Sequence, residues 1–294
     1  MLRAKNWSLF ALLLLFTSLP SISSEMTIST WNIEWLTSAP SNRFTASLRS
    51  EEDFLALRRH FKSMDSEVIA FQEVNDAKVL KQVVGQDYQL FFSQRSQKDN
   101  SSLQFDNINQ YTGFAVKRGI TVVDKPDVKL VNNPNSKLRF ASYIVFYPHS
   151  NEPIHALSVH LKARCSGAYN TSRDCRTLKQ QGQSLNKWIK SRERRGETYI
   201  VLGDFNHNLN FHDDWLWKVI AKGTDATLAS NETKALCKVK SRNNPQRTHQ
   251  FRSLIDHVVT SKGLNISKPI QNLFPMTEVL KYQLSDHCPM SFTL

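Results

Sequence analysis

The chain of 294 residues lacks the features that divide a protein into domains or hold it in a membrane. Its 9 glycines and 10 prolines do not gather into a Pro/Gly/Ser-rich linker, and internal repeats and low-complexity tracts are absent. Beyond the first residues, no apolar run is long enough to span a bilayer. These absences predict one large domain without stable membrane insertion.

Cysteines are few as well. There are four, none of them in a Cys-x-x-Cys spacing, which argues against a zinc site. In an oxidising compartment an even number suggests disulfides, and four cysteines allow three pairings. We favour Cys165 with Cys175, because they are close in sequence, and this leaves Cys237 with Cys288. Four buried free thiols are the alternative.

The first residues resemble a secretory signal, which we expect to cover residues 1–24. Arg3 and Lys5 give a positive start, and an apolar stretch and small residues follow. An uncleaved anchor is the alternative, but Pro20 interrupts the apolar run. We expect a secreted or periplasmic protein whose mature domain covers residues 25–294.

Acidic residues are outnumbered, 26 against 38 Lys and Arg, and the formal net charge is +12. Such a balance favours polyanionic partners. Any single basic cluster is more often a solvated face, so only the overall balance indicates nucleic acid. The basic clusters are Lys187, Lys190, Arg192, Arg194 and Arg195, and then Lys238, Lys240, Arg242 and Arg247.

Hydrophobic periodicity predicts alternating strands and helices. Helices are expected over about 51–63, after a capping box of Ser50 with Asp53, over 174–195, and after Asp213 and Asp214. The polar segments 94–110 and 238–250 are expected to be loops, the first of them mobile. Strands are expected at 27–33, 68–71, 88–92, 112–116, 139–147, 154–161, 198–202 and 254–259. The fold class predicted is an α/β sandwich of four layers, with two packed mixed β-sheets flanked by helices.

Short polar clusters follow several of the predicted strands. One carboxylate after a strand is common, but five clusters of acid, amide and imidazole groups in a fixed order are not expected by chance. They are Trp31–Glu34, Phe71–Glu73, Val159–His160, Gly203–Asn206 and Leu284–His287. Such a set is typical of phosphodiester hydrolysis, which needs a positioned water, a base and positive charge on the phosphate.

With these motifs the chain resembles the endonuclease/exonuclease/phosphatase superfamily, over residues 27–294. The elements Gly203–Asn206 and Ser285–His287 are highly specific in combination. Secreted bacterial members are similar in a further way, because they carry a His-Leu-Lys strand end and two nearby cysteines, as His160–Lys162 is followed by Cys165 and Cys175. The resemblance implies the same sandwich, with strand ends converging on one cleft.

The resemblance also implies a divalent metal, Mg²⁺ or Mn²⁺, with Ca²⁺ as a further alternative. It assigns Glu73 as the principal ligand, with Asn32 and Asp286 in support. A carboxylate oxygen suits magnesium, which keeps several of its waters. On its own, Glu73 would be an ordinary surface glutamate.

Catalytic roles follow from the same resemblance. Asp204 orients or deprotonates the attacking water and Asn206 donates hydrogen bonds, while His160 and His287 contact the scissile phosphate. Asp256 orients His287 and raises its pKa. Whether Asp204 or His287 is the base stays open.

Three further residues are candidates for substrate binding. Lys162 and Arg164 follow His160 closely enough to reach phosphates, although solvated loop charges are an equal alternative. Tyr111 either lines the cleft or covers a sheet edge.

The leading hypothesis is a secreted, metal-dependent nuclease that acts as a monomer on DNA, with RNA second, and leaves 5′-phosphate ends. The alternatives are a sphingomyelinase-type lipid phosphodiesterase, for which Trp215 and Trp217 are the candidate membrane contacts, an inositol phosphate phosphatase, and a catalytically silent binding module.

Overall fold

Residues 25–148 and 152–294 are described by a computed structural model of the chain, and the expected signal over residues 1–24 lies outside them. The strands in the described ranges are β1 (Thr27–Leu36), β2 (Val68–Val74), β3 (Tyr88–Phe92), β4 (Tyr111–Lys117), β5 (Thr121–Val128), β6 (Ala141–Tyr147), β7 (Ile154–His160), β8 (Thr198–Asp204), β9 (Thr227–Leu228), β10 (Lys238–Lys240), β11 (Thr248–Gln250), β12 (Asp256–Thr260), β13 (Ile270–Gln271) and β14 (Met290–Thr293). The α-helices are α1 (Glu51–Ser63), α2 (Ala77–Val84), α3 (Arg173–Glu193), α4 (Trp215–Ile220) and α5 (Met276–Val279).

Twelve of the strands form two sheets of six. The first sheet has the order β13-β14-β1-β2-β4-β3 and the second the order β5-β6-β7-β8-β12-β9. Each sheet contains one parallel pair, β1 with β2 and β7 with β8, and its other pairs are antiparallel. Both sheets are therefore mixed, as predicted.

Three apolar clusters hold the layers together. One lies between the sheets, where Ile28 and Phe114 of the first sheet meet Phe146 and Leu202 of the second. The other two cover the outer faces: α1, α2 and α5 pack on the first sheet, and α3 and α4 on the second. The predicted fold class, a four-layer sandwich, is confirmed.

The helix starts follow their capping residues. The side chain of Ser50 accepts a hydrogen bond from Asp53 N at 3.2 Å, and Asp53 Oδ2 accepts one from Ser50 N at 2.8 Å, which completes the predicted capping box of α1. Asp214 caps α4 by accepting a hydrogen bond from Trp217 N at 2.7 Å.

Segments 94–110 and 238–250 differ from the expected loops. The first contains two short 3-10 helices, Gln94–Ser96 and Lys98–Leu103, and buries the side chain of Arg95. The second is a β-hairpin, so the prediction of a loop there was wrong. Its strands β10 and β11 pair outside both sheets, and Val239 is buried against the first sheet's outer cluster. Val239 is the single apolar residue of β10 and β11, so the sequence shows no alternation of apolar and polar residues that would predict this hairpin.

Both predicted disulfides are present, Cys165–Cys175 and Cys237–Cys288. The first follows β7, and the second ties the start of the β10–β11 hairpin to the residue after His287. No helix of the described chain has the length and apolar character needed to cross a membrane.

Candidate active site

The two parallel strand pairs deliver polar side chains to one edge of the sandwich. In β1 and β2, Asn32 lies beside Gln72 and next to Glu73, and in β7 and β8, His160 lies opposite Asp204. The carboxyl ends of parallel neighbours open at the same edge of a sheet. Because the two sheets pack face to face, the two sets meet at one cleft.

Asn32 joins the two sets. Its side-chain Nδ2 donates to Glu73 Oε1 at 3.2 Å and to Asp204 Oδ2 at 3.0 Å, so the amide links the first sheet to the second. Its Oδ1 accepts a hydrogen bond from Glu34 N at 3.0 Å. In this arrangement Asn32 positions two carboxylates through its nitrogen, and its role as a metal ligand stays a prediction.

Glu73 is held in an unusual backbone conformation. Its φ is +58°, in the left-handed region that non-glycine residues rarely adopt and that recurs at functional sites. Its Oε2 accepts from Trp35 N at 3.2 Å, and its Oε1 lies 3.6 Å from His160 Nε2. Glu73 therefore faces the cleft with both oxygens in fixed positions.

The turn after β8 fixes Asp204. Asn206, with a φ of +52°, donates to Asp204 Oδ1 from its backbone at 2.7 Å and to Oδ2 from Nδ2 at 3.0 Å. Before the turn, Gly203 has a φ of +141°, and a Cβ there would lie 2.1 Å from the carbonyl oxygen of Val159. Only glycine lets β8 approach β7 this closely.

Burial shifts the pKa of Asp204 upward, to about 7, with a further rise from Asp256, while His287 acts in the opposite direction. A carboxyl group with this pKa exchanges its proton near neutral pH. It is therefore suited to acid–base chemistry.

His160 is fully enclosed beside this carboxylate. Its Nε2 lies 3.4 Å from Asp204 Oδ2 and contacts the guanidinium of Arg139. Burial, the Arg139 cation and His287 hold the pKa of His160 well below its ordinary value. The ring is therefore neutral at physiological pH.

His287 has the opposite protonation. Its Nδ1 shares a hydrogen bond of 2.8 Å with Asp256 Oδ2, and its Nε2 lies 3.8 Å from Asp204 Oδ2. Burial works against the charged ring, but Asp256, Asp286 and Asp204 outweigh it and raise the pKa of His287 well above its ordinary value. The cleft thus holds one neutral and one charged imidazole.

Ser285 fixes the backbone of this imidazole. Its hydroxyl donates to Asn32 O at 2.7 Å and accepts from His287 N at 3.1 Å. The strand that carries Asn32 therefore also sets the position of the His287 main chain.

Asp286 lies beside a second carboxylate, that of Glu34. Glu34 Oε2 accepts from Asp286 N at 3.1 Å, and Arg242 of the hairpin donates to Asp286 Oδ2 at 2.5 Å and to Glu34 Oε1 at 3.5 Å. Burial and the Asp286 charge raise the pKa of Glu34 to about 7. The sequence analysis did not predict Glu34 as the partner of Asp286, although its position two residues after Asn32 was a usable signal.

Arg139 was also missed. It precedes β6, is partly buried, and contacts His160 through its guanidinium at the edge of the cleft. A guanidinium in this position is suited to an anion. Single-sequence reasoning offered no signal for it beyond its place next to a strand.

Not all predicted substrate-binding residues reach the cleft. A cavity of about 670 Å³ is lined by Lys162 and Arg164, together with Glu73, Asp204 and His287. Lys162 forms an ion pair of 2.8 Å with Asp174. Tyr111 is buried and does not line this cavity, and the guanidinium carbon of Arg95 lies 4.9 Å from the centroid of its ring. The expectation that Tyr111 contacts substrate is not supported by this position.

One group of three side chains in residues 25–148 and 152–294 has metal-binding geometry. The ligand atoms of Asp204, Asp256 and His287 lie within 4.8 Å of one another. Of these, Nδ1 of His287 is hydrogen-bonded to Asp256, and both oxygens of Asp204 accept amide hydrogen bonds. The predicted ligands Glu73 and Asp286 line the same cavity.

Comparison with known proteins places the chain beside phosphoester-cleaving enzymes. The profile of the Endonuclease/Exonuclease/phosphatase family matches residues 29–287. No curated protein sequence matches the chain.

Solved structures share its fold. A mannosyl-6-phosphatase of Bacteroides thetaiotaomicron is 13% identical, with a TM-score of 0.63, over 92% of this chain and 99% of that one. An endonuclease/exonuclease/phosphatase of Bacteroides vulgatus is 15% identical, with a TM-score of 0.66, over 92% and 98%. The human Nocturnin catalytic domain with a bound sulfate is 18% identical, with a TM-score of 0.60, over 92% and 93%.

Proposed function

The chain belongs to the endonuclease/exonuclease/phosphatase family, and we propose that it is a secreted, divalent-metal-dependent nuclease that hydrolyses DNA, and RNA as a second substrate, to 5′-phosphate ends. The observation that carries the proposal is the meeting of Glu73, His160, Asp204 and His287 in one cleft, with Asp204 Oδ2 within 4 Å of both imidazoles. Two disulfides and the predicted signal support export.

Asp204 is the proposed general base. Its pKa of about 7 leaves a useful fraction ionised at neutral pH, and its carboxylate accepts the proton of the attacking water. Asn206 and Asn32 hold the carboxylate through three amide hydrogen bonds, so it is oriented before substrate arrives.

The other three groups face the phosphate in this proposal. Charged His287 donates from Nε2 to a nonbridging oxygen, while Asp256 accepts the hydrogen bond from its Nδ1–H. Neutral His160 contacts the same phosphate, and the Arg139 guanidinium, which also lines the cavity, supplies positive charge for the developing anion.

The donor set fits a hard cation. Glu73 and Asp286 offer carboxylate oxygens on the cavity wall, and Glu34 lies next to Asp286, where the exposed Arg242 is the cation with which a metal ion would compete. We propose Glu73 and Asp286, supported by Asn32, as the residues that hold Mg²⁺ or Mn²⁺. When bound, the ion neutralises phosphate charge and lowers the barrier to departure of the alkoxide. Asp204, Asp256 and His287 are retained for proton transfer, because Asp256 holds His287 by a hydrogen bond and Asp204 Oδ2 lies within 4 Å of both imidazoles.

Nucleic acid is favoured over lipid by the surface next to the cleft. The β10–β11 hairpin carries Lys238, Lys240 and Arg242, and its apolar residue Val239 is buried. Trp215 and Trp217, the candidate membrane contacts, belong to α4 and pack against the outer cluster of the second sheet. A basic rim of this kind attracts a phosphate backbone.

The test is a hydrolysis panel with plasmid DNA, RNA, sphingomyelin and inositol phosphates, each with Mg²⁺ and with excess chelator. Metal-dependent cleavage of DNA that leaves 5′-phosphates supports the proposal. Cleavage of lipid or of phosphomonoesters without cleavage of either nucleic acid overturns it.

A further inference from the structure

A second cavity lies beside the catalytic one. It has a volume of about 460 Å³, and its shared wall with the larger cavity consists of Trp35, Arg242 and Asp286. We propose that Trp35, Phe44 and Arg43 form in this cavity a binding subsite for the nucleobase next to the scissile phosphate. The inference rests on the proposed nuclease function and specifies how the substrate is held.

Trp35 is turned out of its strand by a strained backbone. Glu34 and Trp35 have φ values of +37° and +50°, and the pairing of β1 with β2 is irregular between Asn32 and Leu36. Two successive non-glycine residues in this region cost free energy, which the surrounding structure must supply. The hydrogen bond from Trp35 N to Glu73 Oε2, 3.2 Å long, holds the turn in place. The result is a large aromatic side chain that lines both cavities.

The aromatic surface continues from Trp35. The rings of Trp35 and Phe44 are stacked, with centroids 4.3 Å apart and planes 17° from parallel. The guanidinium carbon of Arg43 lies 5.6 Å from the centroid of the Phe44 ring. A stacked aromatic pair with a cation over one ring is the kind of surface on which nucleobases are held.

The charged residues on the cavity wall indicate what is attached to the nucleobase. Arg43, Lys240 and Arg242 all line the same cavity, and they outnumber the carboxylates Glu34 and Asp286 on its wall. An aromatic stack beside cations fits a base joined to phosphate, and fits poorly an uncharged sugar or an acyl chain. Because Asp286 lies in the shared wall, the base held here belongs to the nucleotide adjoining the cleaved bond.

The experiment uses single-stranded oligodeoxynucleotides with one cleavable phosphate and methylphosphonates elsewhere. One strand keeps both flanking bases, and two others carry a tetrahydrofuran abasic residue on the 5′ or on the 3′ side. In the full-length protein with Mg²⁺, we expect one abasic strand to lose roughly 5- to 100-fold in kcat/KM, mostly through KM, as for the loss of one base stack.

Variants identify which residue is responsible for the preference for the intact strand. In Trp35→Ala the difference between intact and abasic strands should shrink to about twofold or less, and in Trp35→Phe, which keeps a ring, most of it should remain. Phe44→Ala should have an intermediate effect. Phe211→Ala is the matched control, because Phe211 is an exposed aromatic residue outside both cavities.

Two failures are distinguishable. If the wild-type protein cleaves neither plasmid DNA nor RNA nor any oligonucleotide, the nuclease proposal fails and takes this inference with it. If it cleaves the intact strand and both abasic strands at equal rates, or if Trp35→Ala keeps the full preference, only the stacking subsite is refuted. The wild-type comparison decides the question even if Trp35→Ala does not fold.

Discussion

At the scale of single residues, the cleft sets the protonation of its groups through their immediate neighbours. His160 and His287 both lie near Asp204, yet their pKa values move in opposite directions. Burial lowers the pKa of both rings; the cation Arg139 lowers that of His160 further, whereas the carboxylates Asp256 and Asp286 outweigh burial at His287. One site can therefore present a neutral and a charged imidazole to the same substrate at one pH.

The first prediction concerns Asp204 and His287. Asp204→Ala and His287→Ala should each lower the rate of metal-dependent hydrolysis by about 10²- to 10⁴-fold, since each removes a group that transfers or donates a proton. The rate is measured at saturating Mg²⁺. His212→Ala is the control, because its side chain is 96% exposed. A rate near that of the wild type in either variant refutes the role of that residue.

Several residues of the site could be predicted from sequence because they stand in short motifs. Asp204, Asn206, Asp286 and His287 are of this kind. Arg139 could not be predicted in this way, because its neighbours Leu138 and Phe140 carry no polar pattern and only tertiary packing brings it to His160.

At the scale of elements, the β10–β11 hairpin pairs outside both sheets and still contributes a residue to the site. It is tied down by Cys237 and places Arg242 across Glu34 and Asp286. The hairpin thus supplies a cation to the carboxylates on which a metal would depend.

We therefore predict that Arg242→Ala binds Mn²⁺ more tightly, by about two- to fivefold. The gain is small because the Arg242 side chain is exposed and such ion pairs are weak. Isothermal titration calorimetry without substrate measures it. Arg252→Ala, which removes an exposed charge after the same hairpin, should leave the affinity unchanged. Weaker Mn²⁺ binding in Arg242→Ala would contradict the prediction.

The start of α4 contains a buried ion pair. His207 Nε2 lies 2.7 Å from Asp214 Oδ2, and its Nδ1 lies 2.8 Å from the carbonyl oxygen of Cys165. Burial lowers the pKa of His207, but the hydrogen bonds to Asp214 and to Cys165 O outweigh it, so the pKa is raised on balance. His207 therefore stabilises the fold and does not face the cleft.

This pair gives a pH-dependent prediction. A raised pKa in the folded state means that the stabilisation is complete below the unfolded pKa of about 6.5 and is lost as pH rises through the folded pKa. Asp214→Asn keeps the helix cap but removes the charge. It should cost about 1.5–3 kcal/mol in the free energy of unfolding at pH 6, and less at pH 9. Urea unfolding at both pH values measures this, and an equal loss at both would exclude the charged pair.

Elements with a long periodic signal, such as α1 and α3, lie close to their predicted positions. Short elements do not carry such a signal. The two residues of β13, the three of β10 and the four of α5 each contain too few positions to show a period. Their structure depends on packing against residues that are distant in sequence, as Val239 packs near Phe274.

At the scale of the whole molecule, the two disulfides close loops of different length. Cys165–Cys175 spans a sequence separation of 10 and Cys237–Cys288 one of 51. The chain-entropy relation gives about 3 kcal/mol for the shorter loop and about 4 kcal/mol for the longer one.

Replacing Cys237 and Cys288 by serine should therefore destabilise the protein more than replacing Cys165 and Cys175. All four side chains are buried, so the cost of burying serine is similar in both variants. The free energy of unfolding in urea is the measurement. A larger loss in the Cys165/Cys175 variant would show that local packing outweighs loop closure.

The four-layer architecture was predictable because both ends of the chain alternate strands and helices while the middle is dense in strands. Strand order was not predictable from periodicity alone. The return of β14 beside β1 joins Thr30 to Met290, residues at opposite ends of the chain, and is decided by burial between the sheets.

Asn32, Glu73 and His287 come from the first sheet and its C-terminal segment, whereas His160, Asp204 and Asp256 come from the second. Neither half is chemically competent alone. If one sheet moved relative to the other, every hydrogen bond within the two sheets would remain, but Glu73 would move away from His160 and His287 would move away from Asp204. The turnover rate therefore depends on the spacing between the two sheets. It responds to displacements that spectroscopic measurements of secondary structure do not detect.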